Sequence, residues 1–422
     1  MTFQISGVSA IEVLDSRARP TLMVKLSLAD GTVAEAGVPS GASTGSREAV
    51  ELRDGDPSRF GGAGVTKAVS HVNTEIDDAL AGRAWSSLEE VDQAMRDLDG
   101  TPNKARLGAN AIIGTSMALA RALAQSEGTQ LYEWLPGFGQ PVRLPVPCFN
   151  VLNGGVHAPN PLDFQEFMVC PLGAPSMREA IRAGAEVYQA LKKRLTASGQ
   201  STGLGDEGGF APDLAEPEDV LALIVAAITD AGYPLGKQGV GIALDPAASE
   251  FYTDGGYRVN GVTLSSADMI ARYTEMIGRF PIWSLEDGLG EQDPDGWKRL
   301  TAELGGRVQL VGDDNFCTNP EIISQAIGDG IGNAALIKLN QIGTVTETLA
   351  AMRLCHEAGY AQMISHRSGE TPDTFIADLA VATGCGQIKS GAPARGERIA
   401  KYNRLIQIEN ENPDLPFGLA DR

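Results

Sequence analysis

Six residues with acidic, basic or imidazole side chains each stand at the end of a short apolar run in the second half of the chain. In order they are Asp245, Glu286, Asp313, Lys338, His366 and Lys389, and the gaps between them are 41, 27, 25, 28 and 23 residues. Apolar runs of this length are typical of buried strands, and each gap is close to one strand–helix unit. If the strands close into a barrel, their ends meet at one mouth, where barrel enzymes place their catalytic groups.

The three acids and the lysine that follows them predict a particular chemistry. Asp245, Glu286 and Asp313 would repel one another in a poorly hydrated cavity, and a divalent cation would resolve that repulsion. Oxygen ligands without Cys or His favour Mg²⁺ or Mn²⁺ over zinc. Lys338, in "AALIKLNQIG", would stand beside the metal and near Lys389, and both positive charges are expected to lower its pKa. A lysine with a lowered pKa is a general base, so we expect Lys338 to remove a proton.

Each of these residues also has a simpler interpretation when taken alone. An acid at a strand end often caps a helix or lies in a solvated loop, and a buried lysine often extends its ammonium to the surface. The ordered set of acid, acid, acid, lysine, histidine and lysine at barrel spacing is hard to obtain in that way. We therefore prefer the functional interpretation for the set.

The strands that would position these residues can be identified after residue 140, where short apolar runs alternate with helical stretches. Eight such runs occupy about 280 residues, which matches a TIM-type barrel of about 250 residues. The first two runs lie close together and indicate a ββ start rather than a regular βα repeat. The runs are "PCFNVLN", "FQEFMVCP", "VGIALD", "PIWSLED", "VQLVGDD", "AALIKLN", "AQMISH" and "GQIKSG".

The first part of the chain has a different pattern. "ISGVSAIEVLDS" and "TLMVKLSLADGTVAEAGV" predict a β-meander with a turn at "ADGT", and "ANAIIGTSMALARALAQSEG" predicts a helix that ends at Gly128. The Pro- and Gly-rich segment "LPGFGQPVRLPVP" is the best domain boundary. We predict an N-terminal domain over residues 1–138 and a barrel with a C-terminal tail over 139–422.

Composition excludes several classes of function. The 422 residues include 34 basic and 54 acidic side chains, a formal charge of −20 that disfavours nucleic acid and anionic membranes. An anionic substrate would therefore need local positive charge. The five cysteines lack CxxC spacing and predict free thiols in a reducing compartment. The start of the chain is unlike a signal peptide, and the longest apolar run has nine residues, so we expect a cytoplasmic protein without membrane association.

Seven segments of the sequence resemble the enolase family, and together they extend over essentially the whole chain. The resemblance implies an α/β barrel fold of the ββαα(βα)₆ type with an N-terminal α+β domain. It also implies dehydration of 2-phosphoglycerate to phosphoenolpyruvate in glycolysis and gluconeogenesis. The segments are "VPSGASTGSREAVELRDGD", "NVLNGGVHAPNPLDFQEFM", "GLGDEGGFAP", "LVGDDN", "LIKLNQIGT", "SHRSGET" and "GQIKSGAPARGERIAKYN".

The resemblance also implies a role for each residue of the site. Lys338 resembles the base that removes the C2 proton, and Glu207 resembles the acid that helps to expel the C3 hydroxyl, supported by Glu166. Glu207 would need a raised pKa to be protonated for this role when the substrate is bound. The implied substrate-binding residues are His157, Gln165, His366, Arg367, Ser368 and Lys389. The implied metal ligands are Asp245, Glu286 and Asp313 for a first Mg²⁺ and Ser43, on a lid loop, for a second, with Mn²⁺ as a substitute.

Departures from the family pattern leave an alternative open. Pro159 and Pro161 lie in the predicted mobile loop, where fixed φ angles would stiffen it. Met23 and Gln407 replace a charged pair that joins subunits in the family, although a homodimer or a higher oligomer is still expected. The alternative is an enolase-like paralogue that acts on a related phosphonate or phosphorylated hydroxy acid, such as a carboxyphosphonoenolpyruvate synthase.

Two further alternatives belong to other classes of protein. "GASTG" matches the GxSxG nucleophile elbow of hydrolases, but it lies in a Gly- and Ser-rich loop rather than between a strand and a helix. A binding role on a catalytically inactive scaffold would be favoured by loss of Lys338, Glu207 or a metal ligand, and all of these residues are present.

Overall fold

The structure, a computed structural model, describes residues 2–42, 45–139 and 141–419. Its first part contains an antiparallel sheet of four strands in the order β3-β2-β1-β4. The strands are β1 Phe3–Leu14, β2 Pro20–Leu28, β3 Val33–Gly37 and β4 Ala84–Trp85. The helices of this part are α1 Thr66–His71, α2 Asp77–Leu80, α3 Leu88–Asp99, α4 Ala109–Ser126 and α5 Leu131–Trp134. A 3-10 turn spans Phe60–Gly62, and a π-helical turn, Val72–Ile76, joins α1 to α2.

The predicted meander and the predicted helix both form, and they pack on each other. Alternate residues of β2, including Val24 and Leu26, are buried, which is the period-2 pattern of a sheet with one covered face. Helix α4 covers that face and approaches closely at Gly114, where an added Cβ would lie 2.5 Å from a methyl group of Val24. The helix ends two residues before Gly128, whose φ of +69° suits glycine.

The second part is a closed barrel of eight strands in the order β11-β12-β13-β14-β15-β5-β6-β7. Strand β6 is antiparallel to both of its neighbours, and the other pairs are parallel. All eight predicted strands and the ββ start are therefore confirmed. The strands are β5 Val146–Asn153, β6 Glu166–Cys170, β7 Gly241–Asp245, β11 Ile282–Glu286, β12 Gln309–Gly312, β13 Ala334–Ile337, β14 Ala361–Ser365 and β15 Gln387–Lys389.

Nine helices accompany these strands among the described residues of the second part, and two of them, α6 and α7, follow β6 before the regular βα repeat begins. Several begin at a residue whose side chain accepts a backbone N–H of the first turn, as Ser176, Ser265 and Thr344 do. The helices are α6 Met177–Ala197, α7 Pro217–Asp230, α8 Ser266–Arg279, α9 Pro294–Leu304, α10 Pro320–Asp329, α11 Leu339–Ile342, α12 Val345–Glu357, α13 Phe375–Thr383 and α14 Gly396–Glu411. Two further 3-10 turns span Gly155–His157 and Ala248–Phe251.

A small three-stranded sheet between β7 and α8 was not predicted. It consists of β8 Tyr252–Thr253, β9 Gly256–Val259 and β10 Val262–Leu264. The dipeptides Asp254–Gly255 and Asn260–Gly261 form its two turns, and all four residues have positive φ. Asp-Gly and Asn-Gly are the usual two-residue hairpin signals, so this signal was present in the sequence.

The barrel interior changes from neutral to charged towards the site. At the amino ends of β12 and β15, Gln309 and Gln387 exchange two amide hydrogen bonds of 2.8 and 2.9 Å. An apolar layer follows, and it includes Val311, Leu336 and Met363. The charged residues described below lie at the carboxyl ends of the strands. The packed layers beneath them restrict which side chains can move.

The five cysteines are free and buried, as predicted. None of the helices formed by the described residues combines the length and the apolar character that crossing a bilayer requires. The division of the chain between residues 138 and 139 stays a prediction.

Candidate active site

The six strand-end residues come together at one mouth of the barrel, and all are buried. Each ends a strand or directly follows one, so the closed barrel brings residues far apart in sequence to one place. In the order of β7, β11, β12, β13, β14 and β15 they are Asp245, Glu286, Asp313, Lys338, His366 and Lys389.

The residues from the first two barrel strands reach the same mouth because β6 runs antiparallel. Its first residue, Glu166, is paired in register with Asp245, the last residue of β7. His157 ends the 3-10 turn between β5 and β6, and Glu207 lies in the connection between α6 and α7. The antiparallel β6 therefore places the Glu166 carboxylate at the mouth, whereas a parallel strand would place its first residue at the opposite end.

All residues predicted to act in catalysis or substrate binding line one small cavity at this mouth. Asp245, a predicted metal ligand, and Ser365 line it as well. The lining residues are His157, Gln165, Glu166, Glu207, Asp245, Lys338, Ser365, His366, Arg367, Ser368 and Lys389. The structure therefore brings the predicted set together, while the role of each residue stays a prediction.

The ammonium of Lys389 is surrounded by carboxylates. Its Nζ lies 2.6 Å from Glu286 Oε1, 3.3 Å from Glu166 Oε2 and 3.5 Å from Asp245 Oδ2. Burial acts to lower the pKa of Lys389, but these carboxylates raise it well above its ordinary value. Lys389 is thus a fixed positive charge in the cavity of an otherwise acidic chain.

The predicted ligands of the first metal have the donor chemistry of a divalent-cation site, although the sets of ligand atoms that lie within 4.8 Å of one another among the described residues are different ones. Glu286 Oε2 is buried and has no hydrogen-bond partner among the described residues. Burial, and next the charge of Asp245, raises the pKa of Glu286 well above its usual range. A carboxylate oxygen in such a place is costly unless a proton or a cation compensates it. With Asp313 these groups form an all-oxygen donor set of the kind that Mg²⁺ prefers.

Two further acids beside Asp313, Asp287 and Asp314, were not predicted. Single carboxylate oxygens of Asp287, Asp313 and Asp314 lie within 4.8 Å of one another. Asp287 has a structural task, because its two oxygens accept the backbone N–H groups of Asp313 and Asp314, each at 2.9 Å. Asp287 therefore shapes the turn that presents Asp313. Burial raises the pKa of the neighbouring Asp314 to about 8.

Lys338 forms an ion pair with a predicted metal ligand. Its Nζ lies 2.5 Å from Asp313 Oδ2. Burial acts to lower the pKa of Lys338, but the Asp313 carboxylate outweighs it and the pKa is raised. The lowered pKa expected beside a bound Mg²⁺ and Lys389 stays a prediction, which the ion pair with Asp313 opposes.

The two carboxyl groups on the acid side of the site have pKa values shifted in opposite directions. Burial acts to raise the pKa of Glu207, but the imidazoles of His366 and His157 lower it well below its usual range. The pKa of Glu166 is instead raised well above its usual range, by burial and then by the charge of Glu207. A raised pKa of Glu207 with the substrate bound stays a prediction.

Arg398 fixes His366 and was missed as a site residue. Its Nη1 lies 2.6 Å from His366 Nδ1. Arginine only donates hydrogen bonds, so Nδ1 accepts and the proton of the neutral ring is assigned to Nε2. That nitrogen lies 3.1 Å from Glu207 Oε2, and Asn150 Nδ2 donates to the same oxygen at 3.0 Å. Burial lowers the pKa of His366 to about 3.

Arg367 and Ser368, the predicted phosphate side of the site, are held by residues from other parts of the chain. The Arg367 guanidinium contacts both carboxylate oxygens of Glu48, at 2.9 and 3.1 Å. Ser368 Oγ lies 3.0 Å from His157 Nε2. Ser43, the predicted ligand of a second metal, lies outside the described residues.

Comparison with known proteins identifies the family. The family model described as the enolase N-terminal domain matches residues 5–135, and the one described as the enolase C-terminal TIM barrel domain matches residues 141–415. A protein of Rubrobacter xylanophilus named enolase is 56% identical over 408 residues, which are 96% of this chain and 94% of that protein. Both domains are matched and the relative is aligned along almost its full length. The chain therefore belongs to the enolase family.

Proposed function

We propose that this protein removes water from 2-phosphoglycerate to form phosphoenolpyruvate, with Mg²⁺ as its metal. The observation that carries the proposal is the small cavity at the barrel mouth, which two lysines, three carboxyl groups and two imidazoles line together. The relative named enolase supports the same reaction. Among the described residues of the site, no contact favours the phosphonate alternative.

The proposed reaction begins with binding of the phosphate by Arg367 and Ser368 and of the carboxylate beside Lys389. Lys338, in its neutral form, accepts the C2 proton. A proton next to a carboxylate is a very weak acid because its removal builds a second negative charge, and the fixed charge of Lys389 stabilises that charge. Lys338 must first release its own proton. Its contact with Asp313 stabilises the protonated form and so opposes this step.

The hydroxyl on C3 is a poor leaving group and needs a proton. Glu166 and Glu207 lie beside one another. One carboxylate oxygen of each and one ring nitrogen of His157 all lie within 4.8 Å of one another. Two carboxylates this close do not both ionise readily. We assign one shared proton to the pair, held mainly on Glu166 in the resting state, and this proton leaves with the hydroxyl as water.

Asp245, Glu286 and Asp313 are the residues that would hold the first Mg²⁺, and Ser43 is proposed for the second. The metal would supply positive charge that stabilises the doubly charged substrate carboxylate. Mn²⁺ has similar ligand preferences and is the expected substitute. As part of the proposal we assign the reaction to glycolysis and gluconeogenesis in the cytoplasm, a location that free buried thiols support.

A direct assay tests this proposal. Purified protein, 2-phosphoglycerate and Mg²⁺ should give growing ultraviolet absorbance from the enol product, and a chelator should abolish it until Mg²⁺ is restored in excess. Mn²⁺ should restore part of the rate. Absence of any signal with 2-phosphoglycerate under saturating Mg²⁺, from protein that is folded by circular dichroism, would refute the proposal and return attention to a phosphonate substrate.

A further inference from the structure

Glu48 is a buried carboxylate that reaches the barrel mouth from the first part of the chain. It lies 319 positions before Arg367, its partner. The Glu48 side chain is 9% exposed and that of Arg367 is 3% exposed. Both charged groups are largely withdrawn from water, which carries a desolvation cost, so the presence of this ion pair beside a proposed phosphate site requires an explanation.

The contact with Arg367 is bidentate. Arg367 Nη1 donates to Glu48 Oε2 at 2.9 Å, and Nη2 donates to Oε1 at 3.1 Å. Nη1 also donates to Asn340 Oδ1 at 3.0 Å. Paired hydrogen bonds between a guanidinium and a carboxylate fix the plane and the rotation of the guanidinium. The orientation of Arg367 is therefore set by Glu48 and Asn340.

Glu48 is in turn held by its own segment and by the barrel. Its Oε1 accepts the backbone N–H of Gly45 at 3.2 Å and Gln341 Nε2 at 3.2 Å. The same Gln341 nitrogen donates to Asp313 Oδ1 at 2.7 Å. One carboxylate thus connects the segment that follows residues 43 and 44, the proposed phosphate-binding arginine and a proposed metal ligand.

The segment that carries Glu48 is seated closely on the barrel. A Cβ added to Gly45 would lie 2.7 Å from Cys317 Sγ and 3.1 Å from the carbonyl oxygen of Asp314. Arg47 Nη2 donates to the carbonyl oxygen of Asn315 at 2.7 Å. The approach is so close that only glycine fits at residue 45, and Glu48 therefore enters the mouth from a fixed position.

We infer that Glu48 is a positioning residue, which holds the Arg367 guanidinium in the orientation that receives the substrate phosphate. The inference rests on the proposed function and names the residue that prepares its phosphate site. A second interpretation makes the opposite prediction. If Glu48 acted only as a negative charge, it would weaken phosphate binding, and its removal would tighten that binding.

Glu48→Gln separates the two interpretations because it removes the charge and keeps the length of the side chain. Its amide would present a donor to Arg367, Gly45 or Gln341, all of which are donors. We expect inorganic phosphate, used as a competitive inhibitor and as a ligand in calorimetry, to bind at least about tenfold more weakly, which corresponds to one misaligned charge-assisted hydrogen bond. We expect kcat/KM for 2-phosphoglycerate to fall on the order of 100-fold.

Glu51→Gln is the matched control, because it removes one negative charge three residues further along the same segment. Glu51 pairs with Arg53 rather than with Arg367. We expect phosphate binding and kcat/KM close to those of the unchanged protein. Thermal unfolding of both variants shows whether a change in activity reflects loss of the fold.

A double variant tests whether Glu48 acts through Arg367. In an Arg367→Lys background the bidentate contact is absent, so Glu48→Gln should change phosphate affinity less than about twofold. Tighter or unchanged phosphate binding in Glu48→Gln alone would overturn the inference, and so would an undiminished effect in the Arg367→Lys background. If the unchanged protein did not turn over 2-phosphoglycerate, the proposed function would fail, while the phosphate-binding measurements would still decide the role of Glu48.

Discussion

Lys338 and Lys389 are two buried ammonium groups at one mouth, and their neighbours give them different properties. Lys389 contacts three carboxylates, so no single change removes its partners. The raised pKa of Lys338 depends mainly on Asp313, while burial, Arg367 and Lys389 all act to lower it. If Asp313 held the proposed cation, the influences that lower the pKa of Lys338 would remain. Lys389 is therefore suited to a permanent charge and Lys338 to a group that loses its proton.

At the level of this residue, we predict that Lys338→Ala reduces turnover of 2-phosphoglycerate to near background. Loss of a positioned general base typically costs on the order of 100- to 10,000-fold. Exchange of the C2 hydrogen with solvent should disappear with it, because the lysine acts in that proton transfer. Exchange is measured by NMR of 2-phosphoglycerate in heavy water.

Lys298→Ala provides the control for that experiment. Lys298 is a half-exposed lysine that pairs with Asp329 on the outside of the barrel, and its removal should leave both turnover and exchange unchanged. Persistent C2 exchange in Lys338→Ala would show that another group is the base.

At the scale of residues, contacts between positions far apart in the sequence are the ones that could not be predicted. The six strand-end residues were predictable because a barrel converts regular spacing into proximity. Arg398 and Glu48 were not, although both lie in segments that resemble the family. Arg398 reaches His366 from α14, and Glu48 reaches Arg367 across 319 positions. No periodic pattern links such positions. The pKa directions also depend on contacts that spacing does not show, because Asp313 outweighs burial at Lys338 and the imidazoles outweigh it at Glu207.

At the scale of elements, the strands and helices of the barrel were predictable because each has a strong local pattern. The contacts between elements were not. One example is Gly184 in α6, where an added Cβ would lie 2.2 Å from Cε2 of Phe149 on β5. The sequence shows only a glycine within a helix, which usually weakens it. The structure shows that this glycine lets the helix lie against the barrel.

We predict that Gly184→Ala destabilises the protein by about 1–3 kcal/mol, because overpacking against Phe149 exceeds the gain in helix propensity. Gly278 in α8 is the matched control, since an added Cβ there meets nothing within 4 Å. Gly278→Ala should raise the free energy of unfolding by a few tenths to about 1 kcal/mol. Urea midpoints for both variants check this, and a stabilised Gly184→Ala would contradict the proposed packing.

The contact between α3 and α12 should make stability depend on pH. Asp92 Oδ2 accepts the backbone N–H of Thr346 at 3.1 Å and its hydroxyl at 2.6 Å. Burial raises the pKa of Asp92 to about 6, whereas the unfolded value is about 3.9. Between these values the folded state binds more protons than the unfolded state. The contribution of Asp92 to the free energy of unfolding therefore falls as pH rises from about 4 to 6, and it stays lowered above.

Asp92→Asn removes this ionisation and keeps an acceptor for Thr346. We predict that it raises the free energy of unfolding at pH 8 by about 1–3 kcal/mol, an amount bounded by the pKa shift. The gain should shrink as pH falls towards 4.5. Urea unfolding at pH 4.5, 6 and 8 measures it, with Asp97→Asn on the exposed face of the same helix as the control. An equal effect at all three pH values would exclude ionisation of Asp92 as the cause.

At the scale of the whole molecule, the two parts of the chain combine to form the site. The first part supplies Glu48, and Arg121 of α4 pairs with Asp373, which follows the phosphate side of the mouth. The formal charge of −20 repels an anionic substrate at long range. Affinity therefore depends on the positive groups inside the cavity, and the structure concentrates Lys338, Arg367 and Lys389 there.

The last prediction concerns assembly and begins with an apolar patch on the outer face of the first sheet. Ile11 of β1 is 62% exposed and lies directly opposite Met23 of β2, at the position where the family resemblance implies one member of a charged subunit pair. Gln407, at the other position of that pair, is exposed on α14. Exposed ion pairs contribute about 0–1 kcal/mol, whereas stable subunit interfaces commonly bury about 2,000 Å² or more. Loss of the pair should therefore weaken a dimer only slightly, and Ile11 with Met23 adds apolar area.

We predict a homodimer at micromolar concentration whose dissociation constant changes little between 0.05 and 1 M salt. Over this range the Debye length shortens from about 14 to about 3 Å. Ile11→Asp places a charge on the apolar patch and should shift the protein towards monomer, whereas Val262→Asp, at an exposed apolar residue of β10, should not. Sedimentation velocity across protein and salt concentrations measures both. A monomer under all conditions would show that Met23 and Gln407 mark a lost interface, and a dimer unaffected by Ile11→Asp would place the interface on another face.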